Sequence, residues 1–72
     1  MRQRLHPEAL ATCLKQHLAA DVRTALDTSS QFLAEYELSA PALTNLQAAQ
    51  RSLQAALSYA NAAVLITEQE VR

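Results

Sequence analysis

The chain has seventy-two residues, half of them apolar, six basic and seven acidic side chains and no glycine, which leaves room for one domain, 1–72, and one thin core. A formal charge of −1, scattered along the chain, supplies no field strong enough to gather nucleic acid or anionic lipid. Without glycine there is no phosphate-cradling loop, and a single cysteine, Cys13, excludes an internal disulfide and favours a reducing cytoplasm.

The amino end, MRQRLHPEAL, is basic but lacks the apolar run and small-residue cleavage site of an export signal, so none is expected. Pro7 opens the first predicted helix, about 7–37, because a missing N–H is tolerated in a first helical turn. Its stripe recurs at steps of three and four: Leu10, Leu14, Leu18, Val22, then Ala25 or Leu26, Ser29, Phe32 or Leu33, and Tyr36. Lys15, Asp21, Arg23, Asp27 and Glu35 fall mostly off that stripe. A soft spot lies at DTSSQ, 27–31, where hydroxyls compete for backbone hydrogen bonds and Thr28 with Gln31 fits a capping box. A break at Thr28–Ser30 would make three helices of the expected two.

The turn is expected at about 38–40, within EYELSAP, because the residue before Pro41 is disfavoured in the α region. The second helix should run from about 41 to 68 with Ser39 or Ala40 as its cap. One seam follows Leu43, Leu46, Gln50, Leu53, Leu57, Ala60, Val64, Thr67 and Val71. Roughly across from Leu53 lie Ala48, Ser52, Ala55, Tyr59, Ala62 and Ile66, none of them charged. A short turn makes the helices antiparallel neighbours, so the expected fold class is all-α, a two-helix hairpin. The uncharged run 52–67 is too short and too polar to span a bilayer, which takes about 20 mostly apolar residues.

Catalytic, cofactor and metal sites are not expected. Cys13 and His17 share a helix face with His6 farther off, but a structural zinc site wants four ligands and usually several cysteines. Glu35 and Glu37 point 200° apart on a helix and cannot work as a carboxylate pair. Tyr36 and Tyr59 suit the rim of a helix interface better than an active site. A hairpin covers only the facing sides, so the alanine side of the second helix calls for a partner. Ala48, Ser52, Ala56 and Ala60 form a low ridge that another helix can approach closely, with Tyr59 and Ile66 as larger anchors.

The stretch PALTNLQAAQRSLQAAL, with Leu46, Gln47, Arg51, Leu53 and Leu57 in the pattern L-Q-x-x-x-R-x-L-x-x-x-L after a proline-bearing turn, resembles the second helix of the small type III secretion cochaperones of the YscE/PscE kind. Size and two-helix layout agree with that family, while its turn usually carries glycine where this chain has ELSAP. The resemblance implies a cytoplasmic bacterial protein, tied to virulence, that pairs with a TPR-like chaperone and helps hold the needle subunit unpolymerised. It places the partner-binding surface on the Leu46, Arg51, Leu53, Leu57 side and the neighbouring alanines, which with the uncharged side include Ala48, Ser52, Ala55, Ala56, Tyr59, Ala62 and Ile66. The alternative is a self-assembling structural subunit, needle-like, rod-like or a coiled-coil oligomer built on the heptad seam from Leu43 to Val71. A homo-oligomer is also expected of the isolated chain.

Overall fold

A computed structural model describes residues 5–70. Among them there is no strand: the chain forms α1 (Pro7–Cys13), a π-helical stretch (Leu14–Ala19) and α2 (Ala20–Glu35) as one bent run, followed by a single long helix, α3 (Ala40–Gln69).

Both runs start where proline and a side-chain cap coincide. Pro7 sits in the first turn of α1, where His6 Nδ1 accepts a 3.3 Å hydrogen bond from the Glu8 N–H. An imidazole thus does what Ser or Asp does at most helix starts. Before α3, Ser39 is extended and its hydroxyl oxygen accepts from the Ala42 N–H at 3.4 Å. Ala40 and Pro41 then occupy the first turn, whose N–H groups have no helical partners in any case. The first run stops at Glu35 rather than near 37, because Tyr36 turns to extended backbone at φ −119°, ψ 141°. Glu37 therefore lies outside the helix that carries Glu35.

The suspected break at Thr28–Ser30 does not occur. Thr28 Oγ1 donates to the Thr24 carbonyl at 3.0 Å and Ser29 Oγ to the Leu26 carbonyl at 2.6 Å, so these hydroxyls bond back into the preceding turn instead of capping a new helix. The irregularity lies upstream, at Leu14–Ala19. Buried and half-buried positions of the first run are Pro7, Ala11, Leu14, Ala19, Val22, Leu26, Ser29 and Leu33. Every step is three or four except the five from Leu14 to Ala19. Carried back at 100° per residue, the phase of Val22 and Leu26 would bring Lys15 into the seam. The wide turn absorbs one residue, which keeps Leu14 half-buried and Lys15 exposed. Burying an unpaired ammonium would cost more than a poorer turn. Leu18 loses its expected place on the stripe to Ala19 and is exposed; Leu26 and Leu33, not Ala25 and Phe32, face inward.

On α3, Leu46, Gln50, Leu53 and Leu57 are half-buried and Ala60, Val64 and Thr67 buried, following the expected seam. Leu43 lies at its exposed margin, and Val71 is outside the described residues. The buried Thr67 hydroxyl is satisfied by the Ala63 carbonyl at 2.8 Å. α3 touches α1, the π-helical stretch and α2 in turn. Gln50, in its first half, hydrogen-bonds Ser30 of α2, and Glu68, near its end, shares a concavity with Glu8 and Ala11 of α1.

The result is a rod of 49 × 22 × 19 Å with a radius of gyration of 15.8 Å, against about 11 Å for a compact domain of this length. Its length is that of α3, about 45 Å at 1.5 Å per residue. Among the described residues the buried apolar set is Ala11, Ala19, Ala60 and Val64, and no large side chain is fully buried. The chain exposes 5820 Å², whereas a compact protein of its mass exposes about 4,400 Å². Two helices side by side shield one stripe of each, and the remaining surface stays open.

Candidate functional site: the outward face of α3

The surface that stands out is on α3, away from the seam. Arg51 is the only charged residue between Ala40 and Thr67, so the helix keeps its fold through alanine propensity and seam packing rather than a solvated charged flank. Toward its carboxyl end the outward side carries Tyr59, Leu65 and Ile66, exposed to 77%, 60% and 58%. Tyr59, Ala62 and Ile66 lie about a turn apart, since positions i, i+3 and i+7 share a helix side, while Leu65 stands about 120° around from Tyr59.

The sequence-predicted residues divide into two groups. Ala48, Ser52, Ala55, Ala56, Tyr59, Ala62 and Ile66 are exposed, as is Arg51. Leu46, Leu53 and Leu57 are half-buried in the seam toward the first run, so only their margins remain available. Leu65 was not foreseen because it falls between the two rows, about 120° from Leu53. Its signal was available in LIT, a pair of large aliphatics that one seam cannot take up together. Phe32 and Tyr36 form a second exposed apolar feature, their rings stacked with centroids 5.1 Å apart and planes 26° from parallel. The two are four apart in sequence, the spacing that brings side chains together along one helix side.

Nothing comparable gathers polar chemistry. Every described Asp, Glu, Lys, Arg, His, Cys and Tyr is exposed. Among the described residues no three metal-binding side chains converge, and Cys13 is a free, exposed thiol. No buried side-chain polar atom among them lacks a hydrogen-bond partner. One shallow concavity of about 750 Å³ flanks the π-helical stretch, lined by Glu8, Ala11, Thr12, Lys15, Gln16, Ala20 and Glu68. Its charges are mixed and solvated, and it is open to water. The arrangement is suited to apolar contact with another macromolecule. No described helix is long and apolar enough to cross a membrane. No protein family model, curated protein or solved structure matches the chain.

Proposed function

We propose that the chain is an antiparallel helical hairpin and a non-enzymatic binding module that docks on a helical partner through the outward face of α3. The observation that carries this is the pair Tyr59 and Ile66, a heptad apart and exposed on a helix whose opposite side is already occupied by the first run. Large apolar side chains so placed are uncommon on a surface that stays in water. The alanines beside them let a partner helix approach closely, and an aromatic anchor supplies contact area at low entropic cost.

The partner class follows from the resemblance of Leu46, Gln47, Arg51, Leu53 and Leu57 to the cochaperone motif. In this proposal the hairpin binds a TPR-like chaperone in the bacterial cytoplasm, and the pair keeps a needle subunit of type III secretion unpolymerised. A filament subunit exposes an amphipathic helix that self-associates, and a groove offered in its place prevents this. The hairpin would brace the scaffold of that groove. Co-purification from the native host tests it: the wild-type chain retains a TPR-like chaperone and a needle-type subunit, and Ala55→Arg, which preserves helicity, loses both. Retention of the complex by Ala55→Arg would remove this face as the dock.

The second reading, a self-assembling subunit, is favoured by one feature. Ala48, Ser52, Ala55, Tyr59, Ala62 and Ile66 alternate steps of four and three, a heptad row on the side opposite the seam. Growth into large particles by the purified chain would favour it.

A further inference from the structure

We infer that, before any partner arrives, the apolar face is covered by a second copy of this chain in a closed four-helix dimer. This rests on the antiparallel pairing proposed above and adds what occupies the face of the free protein.

The face spans both helical runs. The Ser30–Gln50 hydrogen bond marks one edge of the contact between them. Phe32 follows Ser30 by two residues, 200° around its helix, and Tyr59 follows Gln50 by nine, half a turn away. Ile66 lies a heptad beyond Tyr59 on the same side. Phe32, Tyr59 and Ile66, all exposed, therefore lie on the broad side opposite that bond, one from the first run and two from the second. Ala25, a heptad before Phe32, and Ala56, a turn before Tyr59, form the low floor between them. The other side holds Ser30, Gln47, Gln54 and Asn61, with the Arg23–Asp27 ion pair at 4.0 Å on its flank. That side is polar apart from Leu65, about 20° around from Gln54, whereas the other carries Phe32, Tyr59 and Ile66.

Area and charge select the occupant. Two separate copies expose twice 5820 Å², whereas a compact protein of the doubled mass exposes about 7,300 Å². Hiding half of the difference buries about 2,000 Å², the lower end of what obligate homodimers bury. None of Ala25, Phe32, Ala56, Tyr59 and Ile66 is charged, so a two-fold axis through them brings no like charges together, and a self-complementary patch is what such an axis requires. Closure consumes the apolar sides and leaves the polar ones outward, so assembly stops at two.

Sedimentation equilibrium on the full chain, reduced, over a hundredfold concentration range tests this. The expected mass is twice 7.9 kDa, falling to the single-chain value in Tyr59→Glu and, independently, in Ile66→Glu, with helical circular dichroism retained. Gln47→Glu on the polar side stays dimeric. A single-chain mass throughout, growth beyond two copies, or a dimer indifferent to both face substitutions would overturn the inference. A short bis-maleimide bridge between Ser30→Cys and Gln50→Cys, in a Cys13→Ser background, tests the pairing separately. Bridging within one chain leaves the mass measurement to decide the dimer, whereas failure to bridge removes the antiparallel hairpin and the dimer with it.

Discussion

Gln50 of α3 donates from Nε2 to Ser30 Oγ of α2 over 2.9 Å, joining residues twenty apart in sequence at one edge of the contact between the two helical runs. Gln50 is also half-buried, with its methylenes on the row that holds Leu46 and Leu53. A polar residue at such a position favours one axial alignment of the two helices at some expense of stability.

Gln50→Leu is accordingly expected to stabilise the fold. The bond is solvent-exposed and contributes about 0.5–1 kcal/mol, while a leucine buried there adds about 1.5–2 kcal/mol. The net gain of about 1 kcal/mol should raise the thermal midpoint by about 4–8 °C in circular dichroism. A lower midpoint would mean that the hydrogen bond contributes more than its exposure implies.

Leu53→Asp should act in the opposite direction. Leu53 is half-buried at the middle of the seam, where a carboxylate would lose solvent. The desolvation cost and the lost burial together amount to several kcal/mol. Far-ultraviolet circular dichroism should show loss of the cooperative melt. A variant that still melts as sharply as the wild type would place Leu53 outside the seam.

The π-helical stretch gives a test by deletion. Removing Lys15 should leave a regular α-helix, because Leu14 then takes the position that the phase of Ala19 and Val22 assigns to residue 15. Helicity and midpoint should be unchanged or higher. Removing Thr24 from regular α2 instead rotates everything before it by about 100° relative to Leu26 and Leu33. Seam side chains at about 1.5–3 kcal/mol each would then leave the contact. Equal effects of the two deletions in urea denaturation would mean that the wide turn does not serve the seam.

The start of α3 depends on Ser39. Its hydroxyl is the side-chain acceptor for the Ala42 N–H, and caps of this type contribute about 1 kcal/mol. Ser39→Ala should lower stability by that amount, while Ser39→Asp keeps the acceptor and adds a charge favourable to the helix dipole. Equal midpoints for the two variants would show that Pro41 and the seam suffice to start the helix.

The elements and one of their faces were legible in the order of residues alone. Two helix-opening prolines, a 3.6-residue period and the absence of glycine place helices at Pro7–Glu35 and Ala40–Gln69 to within two residues, because these signals act within a turn or two of chain. The α3 seam from Leu46 to Thr67 was legible for the same reason: an apolar row in a regular helix keeps its phase. The first run was not legible in this way. Hydroxyls at Thr28 and Ser29 can cap or bond backward with equal local merit, and only continuous packing against α3 decided for the second. The exchange of Leu18 for Ala19, with the wide turn that permits it, depends on keeping Leu14 rather than Lys15 opposite α3. That choice concerns burial against a distant segment, which no local period encodes. Tertiary structure likewise separated the predicted surface into seam leucines and exposed anchors and added Leu65, because whether an apolar side chain is core or surface depends on what the rest of the chain can reach.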